Sequence, residues 1–391
     1  MDSLYLAFQF IKFHKVRSIV LVVSISIIIF LPNGLQKLVS ESERIMLSRA
    51  NSTPLIIGTK GSATDLVINS LYFQQEKIEN ITFAKVSELN QTGLGRSIPI
   101  LCAFNARDYP IVGTDLDYFD FRDLQLSRGR WMSVVGECVV GSNVAENLGL
   151  TIGDSLISSS ESFFDFAGIY PLKMEITGVL DPSDSPDDNA IFVDVKTTWI
   201  IMGLGHGHQD LETIDDPTIV LDRNDSVVTA GAKLFMYNEI TAKNRDSFHF
   251  HGDMSDYPIT SVVFVPNDDK SKTILRGRFE TGEISDQVIV PTEIVNNLLG
   301  SIFRIQQIFD SVFIAVGVST IMILGLIVAL GVRLRQSEIK TMFTIGSSRT
   351  KIIEIISLEL LIIIATSCLL AAVFYFFTDL YVEEFLYRFI I

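Results

Sequence analysis

The sequence FDSVFIAVGVSTIMILGLIVALG at residues 309–331 is a nearly continuous apolar run, and the basic sequence VRLRQSEIKTMFTIGSSRTK follows it at residues 332–351. About 20 apolar residues are enough for a helix to cross the roughly 30 Å hydrocarbon core of a bilayer. Two similar runs occur at residues 18–35 and 358–377. The pattern predicts three transmembrane helices, at residues 18–38, 306–332 and 358–378.

The distribution of charge predicts how these helices are oriented. Residues 1–17 carry three basic side chains against one acidic side chain, and residues 333–357 carry five against two. An excess of Lys and Arg marks the cytoplasmic side, so we expect residues 1–17 to be a cytoplasmic amphipathic segment and residues 333–357 a cytoplasmic loop. Residues 379–391 then form an amphipathic tail outside. The absence of a small-x-small cleavage site favours a retained first helix over a signal peptide.

The segment between the first two helices has the opposite charge balance. Residues 38–309 hold 21 basic and 38 acidic side chains, and the whole chain has a formal net charge of −15. We therefore expect an extracytoplasmic domain at residues 39–305, and its acidity argues against nucleic acid as a partner.

Two kinds of sequence pattern occur in this inserted domain. Short strands at residues 55–58, 261–265 and 288–290 alternate with helical patterns at residues 64–73, 268–279 and 291–299, which predicts an α+β subdomain from about 50–100 and 236–300. Residues 101–235 instead contain short apolar runs broken by turn residues, which predicts a β-rich subdomain. The predicted fold class is an α+β membrane protein with three transmembrane helices and a large α+β, β-rich domain between the first and second.

The sequence lacks the motifs of several function classes. It contains no Walker A loop, no Gly-x-Ser-x-Gly elbow and no His-Glu-x-x-His pair, so we expect no enzymatic activity in this chain. Asp310 and Glu359 lie at the ends of the apolar runs, and the interiors of the three runs hold no Asp, Glu, Lys, Arg or His, which does not fit a proton-driven carrier.

Several motifs together identify a resemblance. The basic stretch reads R-x-R-x-x-E-I-x-x-x-x-x-x-G-x-x-R from residue 333 to residue 349, LSRGRW stands at residues 126–131, GECVVG at 136–141 and VAENLGLTIGD at 144–154. This combination resembles the permease subunits of the MacB/FtsX/LolC class, type VII, of ABC transporters. Members of that class usually carry four spans, whereas three are expected here.

The resemblance implies a location, a function and partners. The chain would lie in the bacterial inner membrane and transmit ATP-driven movement to its periplasmic domain, for transport or extraction of a substrate. ATP and Mg²⁺ would be bound by a separate cytoplasmic ATPase dimer. A second permease copy, identical or different, and a periplasmic adaptor or binding protein are the other expected partners. The alternative is an FtsX-like regulator or scaffold that activates an extracytoplasmic partner without transporting a substrate.

The same resemblance makes the basic stretch the element that docks on the ATPase. Its apolar residues recur at helical spacing, and Gly346 is placed to end that helix, so a short helix could dock in a groove of a partner. The expected coupling residues are Arg335, Glu338, Ile339, Met342, Phe343, Gly346 and Arg349. The alternative is a solvated basic hairpin without a docking role.

Four of the five histidines form two His-x-His pairs, His206 with His208 and His249 with His251. Residues i and i+2 of a strand lie on the same side, so each pair could offer two imidazoles to one ion. If the pairs meet, they suit zinc or copper. If they lie apart, they are turn and edge-strand histidines with structural hydrogen bonds.

Two further features of the inserted domain have local interpretations. The acidic sequence DPSDSPDD at residues 181–188 lacks the spacing of a calcium-binding loop, which predicts a solvated loop. Cys102 and Cys138 are the candidates for one disulfide in an oxidising compartment.

Overall fold

A computed structural model describes residues 2–75, 78–159, 171–207, 220–224, 227–230, 238–241, 244–281, 285–334, 336–344 and 346–389. The chain divides into two compact units. Residues 1–44 and 297–390 form the helical unit, and residues 45–296 form the sheet unit.

The helices described in this chain include several very long ones. In chain order they are α1 Asp2–Phe13, α2 Lys15–Asn51, α3 Ala63–Tyr72, α4 Ala84–Gln91, α5 Asp117–Arg122, α6 Ser142–Leu148, α7 Val195–Ile201, α8 Asp269–Thr281, α9 Pro291–Leu334, α10 Gln336–Thr344 and α11 Arg349–Phe389.

Most of the strands are short, and the two longest have 12 and 9 residues. In chain order they are β1 Leu55–Thr59, β2 Ile81–Thr82, β3 Gly95–Ala106, β4 Tyr109–Thr114, β5 Leu126–Gly129, β6 Glu137–Val140, β7 Ser155–Ile157, β8 Leu172–Leu180, β9 Ile191–Asp194, β10 Gly205–Gly207, β11 Val220–Asn224, β12 Val227–Ala230, β13 Asn238–Glu239, β14 Phe248–Phe250, β15 Pro258–Ile259, β16 Ser261–Pro266 and β17 Asp286–Ile289.

The helical unit contains the apolar helices expected from the sequence. Within the described residues, three segments are long and apolar enough to cross a membrane: Lys15–Asn51, Gln307–Arg333 and Arg349–Val382. Helices α2 and α11 contact each other through a hydrogen bond from Ser26 Oγ to Ser367 O of 2.9 Å. The rings of Phe30 and Phe374 also pack edge to face at 5.6 Å. Helix α11 continues to Phe389, so most of the expected tail at residues 379–391 extends the third apolar helix.

The sheet unit is built on one mixed sheet. Its strand order is β13-β8-β6-β9-β4-β3-β16-β1-β17, with β5 and β7 also paired to β8. The pairs β4 with β9, β6 with β8 and β8 with β13 are parallel, and the other pairs in this sheet are antiparallel. Three clusters of buried apolar residues form its core, one of them around the fully buried Trp199.

The sheet joins the two regions that we expected to form separate subdomains. Strand β1 lies between β16 and β17, which confirms the pairing expected for the strands from the two ends of the insert. The expected boundary near residue 100 falls inside β3, whose two ladders, with β16 on one side and β4 on the other, connect the regions. Helix α9 is likewise a single element where we expected a helix at 291–299 followed by a separate span.

Candidate functional site

The C-terminal end of α2 is held in the sheet unit by a buried ion pair. The Arg49 side chain is 6% exposed and that of Asp187 is fully buried. Arg49 Nη1 and Nη2 donate to the two oxygens of Asp187 at 2.6 and 2.8 Å. Two parallel hydrogen bonds of this kind give an Arg–carboxylate pair both strength and a fixed orientation.

Neighbouring groups make further hydrogen bonds to both members of this ion pair. Tyr118 OH donates to Asp187 Oδ1 at 2.6 Å and accepts from Arg49 Nη2 at 2.6 Å, while Arg49 Nε donates to Leu71 O at 3.2 Å. Burial would raise the pKa of Asp187, but the Arg49 charge and its hydrogen bonds hold that pKa below its ordinary value. Asp187 therefore stays ionised, and we name the cluster of Arg49, Tyr118 and Asp187 the helix anchor.

A tight turn presents Asp187 to the anchor. Ser185 and Asp188 form a capping box around the 3₁₀ turn at Pro186–Asn189. Both oxygens of Asp188 accept from the Ser183 amide at 3.0 Å. The expectation of a solvated loop at residues 181–188 is therefore wrong at its C-terminal end, where Asp187 and Asp188 are buried and fully engaged.

A second arginine binds the residues that follow α2. Arg122, at the end of α5, donates to Ser52 Oγ at 2.9 Å and to Thr53 Oγ1 at 2.8 Å. Its guanidinium lies 4.6 Å from the centre of the Phe121 ring. Burial and the charge of Arg49 lower the pKa of Arg122 to about 10. The exit of α2 is thus fixed by two arginines from different elements.

The motif at residues 126–141 contains an ion pair that joins two of its residues, Arg130 and Glu137. Arg130 donates to both oxygens of Glu137 at 2.7 and 2.6 Å, and the Ser133 amide donates to Glu137 Oε2 at 2.9 Å. Burial would raise the pKa of Glu137, but these hydrogen bonds lower it to about 2. The Trp131 ring packs on Phe119 at 4.4 Å, next to the helix anchor. These contacts therefore stabilise the sheet unit around the motif.

The basic stretch at residues 333–351 contains the short helix expected there. Helix α10 ends at Thr344, and Gly346 follows it with φ +96°, a conformation that favours glycine. Gly346 N donates to Phe343 O and Ser347 N to Met342 O, both at 3.0 Å, which ends the helix in the expected way.

The coupling residues of this stretch face in different directions. Ile339 and Met342 line a small apolar cavity of the helical unit together with Phe10, Ile327 and Ile352. Phe343 is 42% exposed, and Arg349 is exposed at the start of α11. Arg335 and the side chain of Glu338 lie outside the described residues. Their coupling role stays a prediction.

The two histidine segments meet in the sheet unit. Strands β10 and β14 pair in antiparallel register with His206 directly across from His249. The rings of His249 and His251 lie 4.7 Å apart, whereas His208 lies outside the described residues. Among the described side chains, no group of three His, Cys, Asp or Glu residues is close enough together to hold a metal ion.

Comparison with known proteins gives the family. The sequence profile of the MacB-like periplasmic core domain matches residues 19–234, which is more than half of the chain. The chain belongs to this family. It is a permease of the MacB/FtsX type of ABC transporter, a family whose permease subunits are not themselves enzymes.

Two solved structures are similar to this permease. The periplasmic region of MacB from Actinobacillus actinomycetemcomitans is 12% identical, with a TM-score of 0.36, and the match covers 65% of this chain and 97% of that chain. The extracellular domain of the noncanonic ABC-type transporter YknZ from Gram-positive bacteria is 13% identical, with a TM-score of 0.32 and coverage of 60% and 98%. No curated protein matches the chain.

Sequence reasoning missed the helix anchor of this permease. Arg49 stands beyond the first apolar run without a recognisable motif, and Asp187 lies in a loop whose acidity suggested exposure. The available signal was the sequence Ser-Pro-Asp-Asp at residues 185–188, which has the spacing of a capping box. That signal predicts a turn but not the arginine that it would bind.

The two cysteines of the sheet unit are not joined by a disulfide. Cys102 and Cys138 are free and buried, on strands β3 and β6, which are not adjacent in the sheet. Burial raises the pKa of Cys102 to about 12 and raises that of Cys138 as well. Both thiols therefore stay protonated and unreactive at neutral pH.

Proposed function

We propose that this chain is the permease and mechanical-transmission subunit of a bacterial ABC transporter. In this proposal residues 1–17 and the loop at 333–357 lie on the cytoplasmic side of the inner membrane, and the sheet unit lies outside. A separate ATPase dimer docks on α10, and a second permease copy completes the assembly. Closure of the ATPase moves the apolar helices, and these helices move the sheet unit.

The observation that carries this proposal is the continuity of two helices. Helix α2 runs for 37 residues and ends four residues before β1, and α9 starts at Pro291 just after β17 and runs for 44 residues. At about 1.5 Å per residue these helices are about 55 and 66 Å long, each longer than a bilayer span. Each one is a single helix that contains both an apolar segment and residues of the sheet unit.

The helix anchor supports the transmission of force along α2. Removing one partner of a buried ion pair leaves an uncompensated charge and costs about 3–5 kcal/mol, so the end of α2 does not separate easily from Asp187. Arg122 adds a second attachment through Ser52 and Thr53. A displacement of α2 along its axis would therefore be passed to β1 and the sheet.

The test is a distance measurement in the assembled transporter. The permease, with Cys368→Ser and a spin label at Gln91→Cys, is purified with its ATPase in nanodiscs, and label-to-label distances between the two copies are measured with and without ATP and vanadate. We expect a nucleotide-dependent change in wild type. We expect that change to shrink in Arg49→Met while ATP hydrolysis continues.

Arg44→Met is the matched control, because Arg44 lies on the same helix with a side chain that is 59% exposed. It should behave as wild type. Failure of any ATPase to co-purify, or distances that do not respond to nucleotide in wild type, would contradict the proposal. A regulator of the FtsX kind would instead keep an extracytoplasmic protein partner bound through purification.

A further inference from the structure

An ion pair joins α2 to α11 close in sequence to the short helix α10. Arg17 Nη2 donates to Glu359 Oε1, and the Glu359 side chain is only 8% exposed, against 32% for that of Arg17. Arg17 directly precedes the first apolar run, and Glu359 lies at the start of the third. An ionisable side chain buried among apolar helices is costly to place, and such residues are usually paired and functional.

The same ion pair borders the small apolar cavity that α10 also lines. The cavity has a volume of about 60 Å³, and apart from Arg17 and Glu359 its lining residues are apolar. Five helices of the helical unit contribute to it, with Phe10 from α1 and Val328 from α9 among the lining residues. The ion pair and α10 therefore belong to one packed region.

Helix α10 depends on this region for its position. It has nine residues, and helices shorter than about 12–15 residues are marginal on their own in water. Lys340 and Phe343 are exposed, whereas Ile339 and Met342 are partly buried and line the cavity. The placement of α10 is therefore set by the walls of the cavity as well as by its connections to α9 and α11.

Arg17 contacts both of the helices that α10 joins. Its ion pair is with Glu359 of α11, and a Cβ atom on Gly331 of α9 would lie 3.6 Å from Arg17 Nη1. Arg17 Nε is buried and has no hydrogen-bond partner among the described residues, so the Glu359 carboxylate is the acceptor that orients the guanidinium. Arg17 thus lies between α9 and α11 beside the cavity that α10 lines.

We propose that Arg17 and Glu359 are positioning residues for α10. The ion pair fixes the spacing of α9 and α11 at the cavity, and this spacing holds Ile339 and Met342 in place. The consequence for ATPase docking rests on the proposed function, whereas the position of α10 is a property of the permease alone. Loss of the Arg17 charge would leave a buried carboxylate without its cationic partner and would loosen α10.

The test is amide hydrogen exchange of α10, measured by mass spectrometry on the full chain in detergent without any ATPase. We expect exchange in residues 336–344 to be faster by about tenfold or more in Arg17→Met than in wild type. Arg17→Lys keeps the charge and should stay within about threefold of wild type. Exchange in α8 of the sheet unit is the internal reference and should not change.

Lys37→Met is the matched control. Lys37 also belongs to α2, its side chain is 26% exposed, and its Nζ lies 2.7 Å from Asp379 Oδ1 of α11. This variant removes a cation that joins the same two helices away from α10, so α10 should exchange as in wild type. Unchanged exchange of α10 in Arg17→Met, equal acceleration in Lys37→Met, or equal acceleration in α8 would each overturn the proposal.

A second variant and a second measurement separate this inference from the proposed function. If Arg17→Met does not fold, Glu359→Gln decides, because it removes the opposite charge with almost no change in shape and should also accelerate exchange in α10. Retention of the ATPase through purification is then compared in the same variants. Faster exchange in α10 with full retention of the ATPase would support the positioning role and contradict docking on α10.

Discussion

At the scale of single residues, Asp115 follows β4 in a setting that disfavours its charge. Burial and the nearby carboxylates of Asp117 and Asp194 raise its pKa to about 7, although its carboxylate accepts from the amides of Tyr118 and Asp117. One of its oxygens, Oδ1, is buried and has no hydrogen-bond partner. Since the folded-state pKa lies above the unfolded value of about 3.8, stability falls as pH rises from about 4 to about 7.

Asp115→Asn keeps an acceptor for the two amides and removes the charge. We expect the full chain in detergent to gain about 1–2 kcal/mol of unfolding free energy at pH 8 and almost nothing at pH 4. Thermal unfolding measured at both values checks this. Asp120→Asn, at an exposed position of the neighbouring helix α5, is the control and should show no pH-dependent gain. An equal gain at both values would contradict the burial argument.

Single residues also show where sequence reasoning succeeded and where it failed. Gly346 follows the end of α10 as expected, because the requirement for a positive φ is local and glycine is the residue that adopts a positive φ most readily. Asp187 could not be predicted to be buried, because its partner Arg49 is 138 residues away in sequence. A helix end can be inferred from residues adjacent in sequence, whereas a buried ion pair between distant residues depends on packing that only the fold provides.

At the scale of elements, α10 and its glycine terminus form the unit on which docking to the ATPase would depend. Gly346→Ala would strain a residue with φ +96°, although a Cβ atom there would meet no other atom within 4 Å. The cost of about 1 kcal/mol therefore comes from the backbone alone and should loosen the end of α10.

We expect Gly346→Ala to retain less ATPase through purification than wild type, by about threefold to tenfold. Gly300→Ala is the control, because Gly300 is a helical glycine of α9 with open space around it. The measurement is the ratio of ATPase to permease after affinity purification. An unchanged ratio in Gly346→Ala together with a reduced ratio in Phe343→Ala would place the docking contact on the helix rather than on its terminus.

The elements themselves were predicted unevenly. Strands β1, β16 and β17 were expected within about two residues, because short apolar runs bounded by turn residues are distinctive. The fusion of residues 291–299 with the second apolar run was missed, although no proline interrupts the sequence after Pro291. The pairing of β10 with β14 was left open, because strands of three residues carry too little pattern to specify a partner.

At the scale of the whole molecule, the orientation in the membrane is the property on which the proposed function depends most. The positive-inside rule predicts that the basic residues near Arg333 and Arg349 lie in the cytoplasm and that the acidic sheet unit lies outside. Two of the three native cysteines, Cys102 and Cys138, are buried, so they should not react with an impermeant maleimide in the folded protein. The third, Cys368, is replaced by serine to give an unreactive background.

Two single cysteines in this background report the two sides. Gln91→Cys, at the exposed end of α4, should be labelled in intact spheroplasts, and Ser348→Cys, in the exposed turn before α11, should be labelled only after permeabilisation. The measurement is the fraction of each cysteine that is labelled under the two conditions. The reverse labelling pattern would mean that the chain has the opposite orientation in the membrane, with α10 on the side without ATP. Labelling of both sites in intact spheroplasts would mean that α9 does not cross the bilayer, because residues 91 and 348 lie on opposite sides of that helix in sequence.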